Sequence, residues 1–69
     1  MSKAYEYATI TRESGKPDVI VVSAKHVDMP QAQIKASFAV IGKMTLKKAI
    51  ERAKVYADSV TDDVRRIGV

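Results

Sequence analysis

The clearest pattern in the chain is a stripe of apolar residues at helical spacing in its last third. The stripe recurs every three or four residues, as one face of an α-helix does, at Leu46, Ala49, Ile50, Ala53, Ala57, Val60, Val64 and Ile67. Thr45 is a suitable N-cap, and Gly68 is suited to the left-handed residue that follows a helix. The pattern predicts a helix over residues 45–67, with Val60 and Thr61 as the point where a break would fall.

In the first part of the chain the apolar residues alternate instead. From Tyr5 to Arg12, Tyr and Thr alternate with Glu, Ala and Ile, which predicts a half-buried strand. Gly15 and Pro17, in the segment ESGKPD, supply a hairpin connection. The segment that follows, residues 18–27, is rich in β-branched residues and predicts the second strand of the hairpin.

Residues 31–44 fit both periodicities. As a strand, they would turn four residues inward: Ile34, Ala36, Phe38 and Val40. As a helix, they would form an apolar stripe of Ile34, Phe38 and Ile41. That helix would be capped by Asp28 and would hold Pro30 in its first turn. Three alanines favour the helix, whereas the clean alternation of polar residues favours the strand, which is the preferred interpretation.

These elements predict one small α+β domain over residues 1–69. The preferred fold is a three-stranded antiparallel β-meander covered on one face by a single long C-terminal helix, in the order β-β-β-α. If residues 29–41 are helical, the fold is instead a β-hairpin followed by two helices. A chain of this length buries only about 60% of its unfolded surface, so we expect a thin margin of stability.

A single helix can cover only one face of such a sheet. The uncovered face would present six apolar side chains: Tyr5, Tyr7, Val19, Val21, Ala39 and Ile41. An exposed apolar patch with tyrosines is typical of a protein interface, although threonines, serines and lysines keep this face mixed. The partner would be another protein or a second copy of the chain. The candidate interface residues are Tyr5, Tyr7, Val19, Val21 and Ile41.

The formal net charge of +4 equals that of one short segment. This basic segment, residues 43–54, holds five basic residues against Glu51, a net of +4 (5 − 1). The basic residues are Lys43, Lys47, Lys48, Arg52 and Lys54. Such a patch can steer an acidic partner or contact phosphates, and it can equally be the solvated face of a helix.

Nucleic-acid binding through the basic segment is the alternative function. Base readout in a groove uses Arg, Asn or Gln. The chain has no asparagine, and its only glutamines, Gln31 and Gln33, lie outside the C-terminal helix. A variant of this hypothesis uses the uncovered face, where tyrosines beside Lys25 and Lys35 would stack single-stranded bases.

The chain offers little for catalysis or metal binding. It has no cysteine, and its single histidine, His26, has no nucleophile pattern around it. One histidine with scattered carboxylates makes a poor metal site. Asp62 and Asp63 are adjacent and would point about 100° apart on a helix, so they cannot act as a paired acid and base. The sequence predicts a protein that is not an enzyme and that uses no catalytic residues, no cofactor and no metal.

The apolar runs, such as residues 19–22, are far shorter than the roughly 20 residues that span a bilayer, so no membrane partner is expected. Nothing requires an oxidising compartment, and the cytoplasm is the expected location. In size and in its lack of catalytic residues the chain resembles small accessory proteins of phages and other mobile elements. That resemblance, of type and not of motif, implies docking on host machinery. We therefore expect a small regulatory protein, inhibitor-like or adaptor-like, that acts by stoichiometric protein binding.

Overall fold

The structure is a computed structural model that describes residues 3–29 and 31–69. In chain order its elements are β1 (Tyr5–Glu13), β2 (Val19–His26), β3 (Ile34–Ala39), α1 (Leu46–Val60) and β4 (Val64–Arg66). The strands form one sheet in the order β3-β2-β1-β4, in which β4 runs parallel to β1 and the other neighbours are antiparallel. The predicted α+β fold of three antiparallel strands followed by a helix is confirmed. A fourth strand makes the sheet mixed.

Residues 34–39 form a strand and not the first helix of the alternative fold. Their pairing with β2 runs without interruption along the whole strand. The alternation of polar residues decides the structure here, because it gives this part of the sheet one wet side and one side that packs on the core. The β-hairpin followed by two helices is therefore wrong. Pro30, which that alternative needed in a first helical turn, lies outside the described residues.

The chain leaves β3 through a turn that contains Ile41. The Ile41 carbonyl accepts from the amide of Met44 at 3.0 Å, and Gly42 takes a φ of +59°, which side chains rarely adopt. Ile41 is 60% exposed. Because the strand ends two residues earlier, Ile41 lies outside the sheet, and its role as an interface residue stays a prediction.

The helix begins at the predicted cap and ends earlier than predicted. The Thr45 hydroxyl accepts from the amide of Lys48 at 3.2 Å, which confirms this residue as the N-cap. The last helical residue is Val60, and Thr61 already has an extended backbone with φ −151° and ψ 158°. The prediction of a helix to residue 67 is wrong. The break falls at two adjacent β-branched residues, where helix propensity is low.

The residues after α1 pair with β1. The amide of Ala8 donates to the carbonyl of Asp63 at 2.9 Å, and the amide of Ile67 donates to the carbonyl of Ile10 at 2.9 Å. Without β4, β1 would be an edge strand with unpaired backbone groups beside the core. Gly68 has a left-handed φ of +72°, but it follows a strand and not a helix.

The core lies between α1 and the sheet. Its buried members are Ala8, Ile10, Ile20, Val22, Ala24, Ala49, Ala53 and Ala57. The three helical alanines recur at every fourth position, which puts them on the same side of the helix. Their small side chains let the helix backbone approach the sheet closely. No helix of the described chain is long and apolar enough to cross a membrane.

Candidate functional site

The open face, which is the side of the sheet opposite α1, is mainly polar. Because side chains alternate across a strand, the register assigns to it Tyr7, Thr9, Thr11, Glu13, Val19, Val21, Ser23, Lys25, Lys35, Ser37, Ala39 and Arg65. Hydroxyl and charged groups outnumber the apolar ones on this face. It can therefore meet water without a covering layer.

The two valines predicted as interface residues are largely shielded within the sheet. Val21 is only 4% exposed between its cross-strand partners Thr11 and Ser37, and Val19 is half-buried. Neighbouring side chains on the same face cover a small residue in an interior strand even when no helix lies above it. Val21 therefore offers little surface to a partner, and the role of Val19 as an interface residue stays a prediction.

A bulge in β1 separates the two tyrosines. Tyr5 pairs with His26 and Tyr7 pairs with Lys25, so Glu6 is an extra residue in β1. The bulge turns Tyr5 to the helix side, where it packs against the core and meets the His26 ring edge-on at a centroid distance of 5.4 Å. The expected position of Tyr5 on the open face is wrong, because one inserted residue reverses the alternation.

Tyr7 lies on the open face and is covered by a residue of β4. The guanidinium carbon of Arg65 is 4.2 Å from the centroid of the Tyr7 ring, and Arg65 forms an ion pair with Asp63 at 2.9 Å. The hydrogen bond between the two charged groups lowers the pKa of Asp63 and raises the pKa of Arg65. Two contacts therefore fix the guanidinium of Arg65: the Tyr7 ring beneath it and the Asp63 carboxylate beside it.

His26 has a structural role in the turn after β2. Its Nδ1 atom accepts from the amides of Asp28 and Met29, each at 3.1 Å. The ring thus supplies an acceptor to two backbone N–H groups that the strand no longer pairs. Among residues 3–29 and 31–69, no group of three or more His, Cys, Asp or Glu side chains is arranged to hold a metal ion.

The helix divides the basic segment between different sides of the molecule. Consecutive residues point about 100° apart around a helix, so Lys47 and Lys48 diverge. Lys48 and Arg52 lie toward β3, whereas Lys47 and Lys54 lie toward β4, and Lys43 precedes the helix in a turn. The five cations do not form one continuous surface. Nucleic-acid binding by the basic segment stays a prediction.

An apolar groove runs between α1 and β3. It is lined by Phe38, Lys48, Glu51, Arg52, Val55, Tyr56 and Ser59. The rings of Phe38 and Tyr56 are half-buried with their centroids 6.3 Å apart, and Val55 is 71% exposed although it is apolar. The groove therefore combines exposed apolar surface with a rim that carries two positive charges and one negative charge.

The strand beside this groove, β3, is one of the two edges of the sheet. No strand from residues 3–29 or 31–69 pairs with its outer side. Natural edges are usually protected by shortness, charge, proline or a bulge. The opposite edge, β4, is three residues long and contains two arginines. By contrast, β3 has six residues in regular register and Lys35 as its single charge, which leaves its backbone open to pairing.

The groove residues are not apparent from the apolar stripe of the helix. Phe38 has the sequence pattern of a core residue, whereas Val55 lies away from the stripe on the solvent side of α1. An apolar residue on the solvent side of the helix is therefore the sequence feature that indicates the groove. Arg66 borders a second depression together with Lys47 and Lys54. The sequence pattern does not group Arg66 with these lysines, because it predicts a helix for the residues that form β4.

No protein-family model matches this chain, and no curated protein or solved structure is significantly similar to it. The groove, the β3 edge and the open face are the features of the structure that bear on function.

Proposed function

We propose that this protein is a non-catalytic binding protein that takes up an extended segment of a partner protein as an additional strand beside β3. The observation that carries the proposal is the regular edge of β3, with which no strand of the described chain pairs, next to an apolar groove. A regulatory protein of the inhibitor or adaptor type acts stoichiometrically in this way, because it needs only to occupy the partner.

The β3 edge supplies the main-chain part of the interaction. An edge strand presents a row of N–H and C=O groups with which an incoming strand can pair. Since β3 has six residues and no bulge in its pairing with β2, its outer backbone groups are evenly spaced. Main-chain pairing of this kind provides affinity that depends little on the sequence of the partner.

The groove supplies the side-chain part. Alternate residues of an added strand point to the helix side of the sheet, where they meet Phe38, Val55 and Tyr56. Aromatic residues provide large contact areas at such a position. The exposed side chain of Val55 becomes covered on binding, which contributes favourable burial of apolar surface. Specificity then comes from the apolar residues at alternate positions of the partner.

The charge of the groove favours an acidic partner segment over a second copy of the chain. Lys48 and Arg52 line the groove against Glu51 alone. If two copies paired antiparallel through β3, their helices would lie on the same side of the joint sheet with these cations facing each other. Like charges in that arrangement oppose association, whereas acidic residues of a partner are attracted to it. The net charge of +4 acts in the same direction.

The proposal is tested by selecting random peptides displayed on phage against the immobilised protein. We expect enriched peptides to carry both apolar and acidic residues at the alternate positions that face the groove. Val55→Glu should weaken their binding at least about tenfold, or about 1.4 kcal/mol, because it places a carboxylate among the apolar groove residues.

The matched control is Ile67→Glu, which makes a comparable change at an apolar residue that is 56% exposed beside β4. It should leave binding of the selected peptides unchanged. Enriched peptides without acidic residues on the face that carries their apolar residues, or equal losses in the two variants, would contradict the proposal.

A further inference from the structure

A row of polar and basic side chains crosses the open face from one edge of the sheet to the other. The register aligns four residues from β3 to β4: Lys35, Ser23, Thr9 and Arg65. Because neighbouring strands lie about 4.8 Å apart, this row is about 14 Å long. Lys25 and Tyr7 face each other in the adjacent row. The open face therefore has cations on three of its four strands, with hydroxyl groups between them.

Two of these three cations are not engaged by a carboxylate in the described part of the chain. The ion pairs there join Lys3 to Asp62, Arg12 to Asp18 and Arg65 to Asp63. Neither Lys25 nor Lys35 takes part in them. Arg65, by contrast, is paired with Asp63 and also lies within reach of the more distant charge of Glu6. The two lysines thus keep their charge available for an anionic ligand.

The stack of Arg65 on Tyr7 adds a flat surface to this charged face. The guanidinium carbon lies 4.2 Å from the ring centroid, and the Arg65 side chain is 54% exposed. Guanidinium groups and aromatic rings are the surfaces on which proteins stack unpaired bases. With Tyr7 below it and Asp63 beside it, the guanidinium of Arg65 is held in position before any ligand arrives.

We propose that the open face binds single-stranded nucleic acid, with Lys25 and Lys35 contacting phosphates and one base stacking on Arg65. Serine and threonine hydroxyls along the row donate further hydrogen bonds to the backbone of the strand. This site lies on the opposite side of the sheet from α1, and it is separate from the groove proposed to bind protein.

Polarity and shape favour this ligand over the alternatives. A protein interface has an apolar centre, and the most central apolar residue of this face, Val21, is only 4% exposed. A duplex keeps its bases stacked inside and is read through its grooves by a protruding helix or ribbon. A single strand instead offers both phosphates and unstacked bases to a flat sheet.

The test is fluorescence anisotropy with a labelled oligo-dT of about 20 nucleotides, longer than the site of one small domain. The two phosphate contacts of Lys25 and Lys35 on a single strand predict that log affinity falls against log salt with a slope of about −1.4 between about 50 and 200 mM. A labelled duplex of the same length should bind more weakly. Failure to bind the oligo-dT at the lowest salt, or equal binding of the duplex, would overturn the proposal.

Two variant pairs locate the site. Lys25→Gln with Lys35→Gln should remove about two phosphate contacts and reduce the magnitude of the salt slope by about 1.4. Lys47→Gln with Lys54→Gln makes the same change of charge on the helix and should leave the slope unchanged. Equal effects in the two pairs would show a non-specific response to net charge and would overturn the assignment to the open face.

The stacking step has its own readout. Arg65→Lys keeps the charge and removes the planar group, so affinity should fall at least about fivefold while the salt slope stays the same. Unchanged affinity would overturn the stacking role of Arg65. Val55→Glu, which disrupts the groove, should leave oligonucleotide binding within about twofold, so the two proposals fail or hold separately.

Discussion

Ala8 of β1 and Val64 of β4 are register partners in a parallel pair, and the amide of Ala8 donates to the carbonyl of Asp63 at 2.9 Å. This pairing gives β1 a neighbour on both sides and moves that edge of the sheet to a strand of three residues. It also brings Arg65 onto the open face above Tyr7. The sheet therefore has one edge protected by the short β4 and one open edge at β3, because the helix ends early enough for the chain to pair with β1.

Thr61 stabilises the turn between α1 and β4, so removal of its hydroxyl should lower the stability of the protein. The residue is 1% exposed, and its Oγ1 accepts from the amide of Asp63 at 3.2 Å. Thr61→Val keeps the shape and leaves the amide without its acceptor, which should lower the free energy of unfolding by about 1 kcal/mol. Thermal denaturation should show a melting temperature lower by about 4–8 °C.

The control for this prediction is Thr11→Val. It makes the same exchange on the open face, where the described hydrogen bonds do not involve the hydroxyl. Its effect should stay within about 0.5 kcal/mol. Similar losses in both variants would show that the Thr61 hydroxyl has no specific role.

Close approach of the helix to the sheet predicts that Ala53 cannot be enlarged. This residue belongs to α1, and its side chain is fully buried against the strands. Ala53→Leu should lower the free energy of unfolding by about 1–3 kcal/mol, because the added atoms force the helix away from its neighbours. Chemical denaturation is the measurement. Val55→Leu, an enlargement at a position that is 71% exposed, should change stability by less than about 0.5 kcal/mol.

Asp18 predicts an acid-sensitive contribution to stability. Its carboxylate accepts from the amide of Gly15 at 2.9 Å and pairs with Arg12 at 2.5 Å, and these contacts hold its pKa below the usual value. A depressed pKa in the folded state stabilises the protein above the unfolded pKa of about 4. The contribution is lost as pH falls through the lower pKa of the folded state.

Asp18→Asn should therefore be less stable than the wild type near neutral pH and should approach it below about pH 4. Denaturation midpoints measured across that range check this outcome. A difference between the two proteins that stays constant with pH would show that the carboxylate charge is not responsible. Asp63, whose pKa is lowered by Arg65, should behave in the same direction.

The rim of the groove predicts which charges control partner binding. Lys48→Glu with Arg52→Glu should weaken the selected acidic peptides at least about tenfold, or about 1.4 kcal/mol, because attraction becomes repulsion. Isothermal titration is the measurement. Lys47→Glu with Lys54→Glu makes the same change on the other side of α1. If that pair weakened binding equally, the effect would belong to net charge and not to the groove.

The features predictable from the sequence were those that depend on neighbours along the chain. Polar alternation in residues 34–39 predicts a strand, and the position of Thr45 before an apolar stripe predicts a cap. The position of Tyr5 was not predictable, since a bulge of one residue leaves no mark in the pattern. Most of the candidate site was also missed. Its apolar residues come from β3 and α1, which are distant in sequence.

The sequence by itself determined the α+β class, three strands in order and a helix with its N-cap. Periodicity and capping decide these features, and both act within a few residues. Only the tertiary structure decided that the chain after the helix pairs with β1 as a fourth strand, that Tyr5 turns to the core and that Arg65 covers Tyr7. Each of these follows from the hydrogen-bonding groups of β1, whose partners were distant in sequence and were found only when the chain folded.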